Sequence, residues 1–412
     1  MTSRDSDSSN SPDPLGSLAT GQRSLGDPSV RFPLWPPLTA GCPVTSTDTV
    51  SYPVEVDYAY DQVPADLFTS APRHSYGHDR WAPVLPPLHA PGLGEGGTPL
   101  VAFGDGLWIK DESRNPTWSH KDRINRVTVS AAVGAGAEGI VVASSGNHGA
   151  SAAAYAARAG LRCAVLTSVD TPPAVDAFLR AYGAVVLPVP VDARWPLLRR
   201  IVERFGYHPV SNVTPTHTGH AFGPEGYKTL AYEIHAELGV PGAVFLPTGY
   251  GELLFGVWKG FADLVRIGVT DRVPRFYSCE PAAGGPLAAA LRDGVPATEV
   301  PVGETAAYAI SSSVGGYRGV VAVRESGGAA LLVTDAEMVA ARDELARGGL
   351  WPELSAAAGL AGYRQLGPAA VEGPVVCVST SSGFKDRDLL DGAGSVELDP
   401  ADWAEVERRV GA

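Results

Sequence analysis

The sequence predicts an α/β fold made of two three-layer αβα domains, with mostly parallel sheets and one cleft between them. Short apolar runs of strand length alternate with helix-length segments along most of the chain, the pattern left by parallel sheets covered on both faces. Glycine- and serine-rich turns follow two of these runs and lead straight into helices. With 412 residues and 44% hydrophobic content, the chain can fill about two or three cores.

Residues 1–50 are rich in Ser, Pro, Asp, Gly and Thr and read as a disordered arm, too polar to offset the entropy of ordering. Order is expected from the alternating stretch at 52–58 and is continuous by 93–100. Residues 107–110 (Leu-Trp-Ile-Lys) form a strand. A second strand at 140–143 and a helix at 150–159 make a βα unit. Strands at 163–166 and 184–187 follow, separated by a helical stretch that Pro172-Pro173 opens and Gly183 closes. Further strands are expected at 243–246, 276–279 and 375–378. The expected division is a larger domain from 51–138 and 236–412 and a smaller one from 139–235. No tandem repeat is visible.

Lys+Arg total 32 against Asp+Glu 45, a net charge of -13, which disfavours a nucleic-acid partner. Cys42, Cys163, Cys279 and Cys377 are scattered, with neither metal-ligand nor disulfide-framework spacing, so they read as reduced core residues and no metal site is expected. The N-terminus lacks a basic segment followed by an apolar run, and no apolar stretch approaches ~18 residues. A soluble cytoplasmic protein with no membrane partner is expected.

Five lysines occur, Lys110, Lys121, Lys228, Lys259 and Lys385, so 27 of the 32 basic residues are arginines. Arginine cannot replace lysine where an amine must lose its proton and attack a carbonyl. Lys121 lies in Asn115-Pro-Thr-Trp-Ser-His-Lys-Asp-Arg123, just ahead of an Ala/Val-rich helix, and is the candidate to carry pyridoxal 5'-phosphate as a Schiff base. A lysine that solvates a helix start is the alternative.

Three turns could serve such a group. Gly249, Tyr250, Gly251, Glu252 and Leu253 follow a strand and open a helix, so their N–H groups can converge on a phosphate; close helix-strand packing explains the glycines equally well. Ser144, Ser145, Gly146, Asn147 and His148 sit between another strand and helix and could hold a carboxylate, with Asn147 as a neutral donor. A serine cap with a turn asparagine is the plainer reading. Thr380 ends a late strand and could face a pyridine nitrogen, or close an ordinary turn. No Walker lysine and no G-x-G-x-x-G pattern accompanies the turns, which disfavours nucleotides.

Taken together these motifs resemble the fold-type II pyridoxal-phosphate enzymes, and most closely the threonine synthase family. Lys110-Asp-Glu112, Asn115-Pro-Thr117, Ser119-His-Lys-Asp-Arg123, Ser144-Ser-Gly-Asn147, Pro224-Glu-Gly-Tyr-Lys-Thr-Leu-Ala-Tyr-Glu-Ile234 and Gly383-Phe-Lys-Asp386 look like that family's landmarks in its order. So do residues 93–100 and the late helix start at 349–358. The resemblance implies a cofactor linked to Lys121 in the cleft, its phenolic oxygen met by Asn147, its phosphate held by residues 249–253 and its ring nitrogen faced by Thr380. It further implies that residues 144–148 hold the substrate carboxylate and that the protein is a homodimer.

The departures bear on the substrate. Trp118 and His120 stand where threonine synthases usually have Gly and Phe. Trp118 removes space, and His120 adds a group able to titrate near neutrality, or one that simply faces the core. Asn147-His148-Gly149 is similar to the hydroxyamino-acid dehydratases. Glu252 puts an acid in the phosphate turn and is expected to face away from the phosphate. The expected activity is a threonine synthase-like lyase or synthase that eliminates or replaces a group at the β or γ carbon of an L-amino acid such as O-phosphohomoserine. A β-eliminating ammonia-lyase of the serine/threonine dehydratase or diaminopropionate type, a β-replacement synthase and an inactive binding protein of the same fold are the alternatives.

Overall fold

The computed structural model describes residues 16–64, 66–68, 77–104, 106–169, 171, 173–386 and 403–410. Three strands come first: β1 (Ala19–Ser24), β2 (Arg31–Phe32) and β3 (Val54–Tyr58), an antiparallel sheet in the order β2-β1-β3. The expectation of a disordered arm over 1–50 is therefore corrected from residue 16 onward; residues 1–15 lie outside the described residues. Composition underestimated this segment because its partners are distant in sequence. β1 pairs with β3, the Gln22 amide donates to the carbonyls of Pro33, Leu34 and Pro36, and Cys42, Val54 and Val56 share a core with Phe222.

β4 (Leu100–Ala102) and β5 (Leu107–Asp111) lead to α1 (Lys121–Gly134). The chain then builds β6 (Gly139–Ala143), α2 (Asn147–Ala159), β7 (Arg162–Thr167), α3 (Pro173–Ala181), β8 (Val185–Pro188), α4 (Arg194–Phe205) and β9 (His208–Pro209). These strands form a parallel sheet in the order β8-β7-β6-β9. Ile140 and Val142 enter one core and Val141 another, so helices cover both faces.

After α5 (Gly223–Leu238) come β10 (Ala243–Pro247), α6 (Glu252–Ile267), β11 (Arg275–Pro281), α7 (Pro286–Asp293), α8 (Tyr317–Ser326), β12 (Ala329–Val333), α9 (Asp335–Arg347), α10 (Ala358–Leu366) and β13 (Val375–Ser379). A short helix, α11 (Trp403–Val410), lies beyond. The second large sheet runs β12-β11-β10-β13-β5-β4 and is parallel except for β4. Alternate residues of β10, Val244 and Leu246 against Ala243 and Phe245, again divide between two cores. Tyr227, Leu230 and Ile234 of α5 join the larger sheet's core, although the sequence division at 235 puts them with the smaller one.

Buried ion pairs fasten α1, α5 and α6 together. Arg123 is wholly buried between Glu112 and Glu233, at 2.7 and 2.6 Å, and Lys110 reaches Glu233 at 2.7 Å. Lys228 lies 2.8 Å from both Glu225 and Asp263, and Lys259 lies 3.0 Å from Glu225. Such clusters hold only when every charge is met, so they fix how the helices sit against one another. Three of the five scarce lysines are thus explained by packing. Lys121 is not among them.

Candidate active site

The C-terminal ends of the parallel strands open on a cleft of about 1200 Å³. Lys121, Ser144 to His148, Gly249 to Leu253, His120, Thr380, Glu353 and Lys385 line it. The candidate residues thus come from segments that are far apart in sequence. Trp118 does not join them. It is 47% exposed, with φ of 61°, and its ring packs 5.8 Å from that of Phe178, which does line the cleft.

The segment before α1 is held by its own side chains. Asp122 accepts hydrogen bonds from the Thr117 backbone N–H at 2.6 Å, the Thr117 hydroxyl at 2.5 Å and the Ser151 hydroxyl of α2 at 2.6 Å. Burial pushes this carboxyl up to about 6. From the other side, the turn after β13 clamps the same segment. The His120 backbone N–H donates to the Thr380 carbonyl at 2.9 Å, and the Ser382 N–H donates to the Trp118 carbonyl at 3.1 Å.

Lys121 projects into the cleft at the start of α1. Its Nζ lies 3.3 Å from the Tyr227 hydroxyl, with no carboxylate within ion-pair distance among the described residues. Burial lowers its affinity for a proton, opposed by Glu252 and Glu353. The His120 ring stacks on Tyr227 at 5.6 Å, with Nδ1 3.1 Å from the Thr380 carbonyl. Burial holds it well below the usual histidine range, so it lines the cleft as a neutral ring rather than as a group that titrates near pH 7.

The first turn of α2 presents the second candidate loop. Gly146 caps the helix, and the Ser145 hydroxyl accepts the Ser168 N–H at 2.6 Å. Both ring nitrogens of His148 are occupied, Nε2 by the Val210 carbonyl at 2.9 Å and Nδ1 by the Asn125 amide at 3.3 Å. Burial brings it down to about 3, so the ring is a neutral strut and only its backbone can serve a ligand. Asn147 is held at both ends: Nδ2 donates to Glu353 at 3.0 Å, and Oδ1 accepts from Lys385 at 2.8 Å and Ser381 at 3.2 Å.

Gly251 precedes α6 with φ of 87°, and a Cβ there would meet Gly319 Cα at 2.8 Å, so this turn admits only glycine. The opening N–H groups of α6 are left free of helical acceptors, and residues 249–254 line the cleft. Tyr250 stacks on His217 at 4.1 Å and faces Trp195 of α4 at 6.4 Å, closing one side. An amine with no salt bridge among the described residues, deprotonated more readily through burial, and a helix N-terminus in the same cleft suit an aldehyde that bears a phosphate. The residues present fit pyridoxal 5'-phosphate on that ground.

Sequence reading did not single out Tyr227, Glu353, Lys385 or His217 as site residues. Tyr227 and Lys385 stand within quoted landmarks, and Glu353 within the helix start at 349–358, so the signal was present for three of them.

Comparison with known proteins agrees with this geometry. Residues 92–381 match the family described as pyridoxal-phosphate dependent enzyme. Threonine synthase of Methanosarcina acetivorans is 33% identical over 330 residues, covering 74% of this chain and 80% of that protein. Threonine synthase of Mycobacterium tuberculosis is 33% identical over 350 residues, covering 81% and 92%. Among solved structures, the threonine deaminase of T.th. superposes with a TM-score of 0.59 at 26% identity, covering 69% of this chain and 88% of that one. The chain belongs to the pyridoxal-phosphate dependent enzyme family, and it is a pyridoxal-phosphate dependent lyase.

Proposed function

We propose that Lys121 carries the cofactor and that the enzyme acts on an L-amino acid, eliminating or replacing a group at its β or γ carbon, with O-phosphohomoserine-like substrates as the leading class. The observation that carries the reading is the setting of Lys121: an amine with no salt bridge among the described residues, in a cleft with two helix N-termini. Similarity to threonine synthases supports the substrate class. In this reading residues 249–253 hold the phosphate, Asn147 meets the phenolic oxygen, Thr380 faces the ring nitrogen, and residues 144–148 hold the substrate carboxylate through N–H groups.

The bound cofactor supplies an electron sink for the substrate's α carbon. The chain's own residues do the rest. Lys121 Nζ takes and returns the α proton, and burial eases the loss of its own proton, as a base requires. The Tyr227 hydroxyl keeps that amine in place. Glu353 and Lys385 fix the orientation of the Asn147 amide. The neutral His120 ring walls the cleft without adding a charge that competes with the amine.

A second reading, β-elimination to a 2-oxo acid and ammonia, is favoured by the Asn147-His148-Gly149 loop and by the likeness to threonine deaminase. Assays of phosphate release from O-phosphohomoserine, and of 2-oxo acid from serine, threonine and 2,3-diaminopropionate, separate the two. Phosphate release alone supports the first, and 2-oxo acid without phosphate release supports the second. The reading extends to a homodimer, from family resemblance, and to the cytoplasm, where four buried free cysteines are at home.

A further inference from the structure

One wall of the cleft, residues 211–217 with 219 and 220, forms neither helix nor strand. A wall without a ladder of its own keeps its shape only through what grips it from outside. Inside the segment, Asn212 Oδ1 accepts the Thr218 N–H at 3.0 Å. The outside grip comes from the amino-terminal segment. Thr216 Oγ1 accepts the Ser51 N–H at 2.7 Å, with both residues buried. Arg318 of α8, itself buried, donates from Nη2 to the Val54 carbonyl of β3 at 2.6 Å and from Nη1 to the Thr218 carbonyl. Gly41 has φ of 75° and lies so near that a Cβ there would meet Thr218 Cγ2 at 3.0 Å.

This segment is rooted in the core. Lys259 donates to the Val56 carbonyl at 2.8 Å, and the Tyr58 hydroxyl donates to Glu225 at 2.9 Å. From that footing the loop between β2 and β3 reaches the cleft itself. Thr49 is exposed and lines the cleft, in a turn closed by the Thr47 N–H on the Val50 carbonyl at 2.8 Å. The gripped wall in turn bears on the turn assigned above to the phosphate. His217 stacks on Tyr250 at 4.1 Å, and a Cβ on Gly219 would overlap the Glu252 side chain. Contacts therefore run from the amino-terminal sheet, through 216–219, to Tyr250 and Glu252.

We propose that the amino-terminal segment 39–54 is a working part of the active site. Thr216 and Arg318 are positioning residues that carry the hold of the core to the cleft wall, and Thr49 borders the path of the amino-acid substrate. The inference rests on the reading that this cleft is where the reaction takes place.

The test uses Thr49→Cys in the full chain loaded with pyridoxal 5'-phosphate. The four native cysteines are buried, so a maleimide reads the introduced thiol against an unreactive wild type. O-phosphohomoserine, serine, threonine and 2,3-diaminopropionate are the probes, and at saturation at least one of them should slow labelling by about threefold or more. Labelling that none of the four slows overturns the proposal. Adding Thr216→Val keeps the shape and deletes the acceptor for the Ser51 N–H. Compared at equal occupancy, read from the cofactor absorbance, protection of the thiol should then fall by about half or more, and Thr216→Ser should restore it. Protection indifferent to Thr216→Val contradicts the clamp. The Thr49 comparison needs no buried substitution, so it decides the matter even where Thr216→Val fails to fold. Borohydride reduction and mass spectrometry of the same samples keep the two readings apart. A Lys121 adduct with an unprotected thiol sinks this inference alone, and no adduct sinks it together with the proposed function.

Discussion

The Lys121 amine rests 3.3 Å from the hydroxyl of Tyr227, a side chain buried completely in the core beneath the cleft. This one contact ties the reactive segment before α1 to the helix that anchors the larger sheet. It makes the position of the amine a property of the core rather than of a loop.

Tyr227→Phe retains the ring and its stacking on His120 while deleting the oxygen. Stability is expected to change by only about 1 kcal/mol, the net worth of one hydrogen bond. A loosely held amine should lower kcat about tenfold, or ~1.4 kcal/mol, with little change in KM. Urea unfolding together with steady-state kinetics checks both halves. A loss of KM alone would place Tyr227 in substrate binding instead.

Gly251→Ala forces a side chain onto a left-handed residue and against Gly319. The backbone strain is about 1–2 kcal/mol before any clash. Since the first N–H groups of α6 move with it, affinity for pyridoxal 5'-phosphate should fall at least tenfold, as read by equilibrium dialysis. Equal affinity would remove this turn from the cofactor site.

Lys385→Met tests the clamp on Asn147. Burial brings the Lys385 amine down to about 8, so its proton is lost as pH rises through that value, and with it the charged donor to Asn147 Oδ1. Wild-type activity is expected to decline above pH about 8. The variant should be at least about tenfold slower below that pH, with that limb absent. A variant with an unchanged limb would assign the decline to another group.

Glu280 predicts a stability slope away from the cleft. Burial at the start of α7 pushes its carboxyl up to about 7, from 4.5, although it accepts the N–H groups of Leu287 and Ala288. The folded form binds the proton more tightly than the unfolded form, so this contribution is complete below pH about 4.5 and is lost as pH rises through about 7. Glu280→Gln should flatten that slope, seen as a smaller difference between urea midpoints at pH 5 and pH 8 (about 3 pH units apart).

Much of the fold was legible because it is carried by local patterns. β5, β6, β7, β10, β11 and β13 all fall on the apolar runs, and the turns after β6 and β10 stand out by their glycines. The amino-terminal sheet was hidden because Gln22, Cys42 and Val56 find their partners across long stretches of chain. The site divides the same way. Lys121, Asn147 and the glycine turn announce themselves by residue type and neighbours. Tyr227, Glu353 and Lys385 act on residues 106, 206 and 238 positions away, and no local spacing encodes such contacts. Lysine scarcity pointed to Lys121, yet Lys110, Lys228 and Lys259 are retained for buried ion pairs.

The most direct test of the account is to reduce the pyridoxal-phosphate-loaded enzyme with borohydride and map the modified peptide by mass spectrometry. The account predicts a single phosphopyridoxyl group on Lys121, absent from Lys121→Ala. An adduct on Lys385 or any other side chain, or none after the cofactor is supplied in excess, would contradict it.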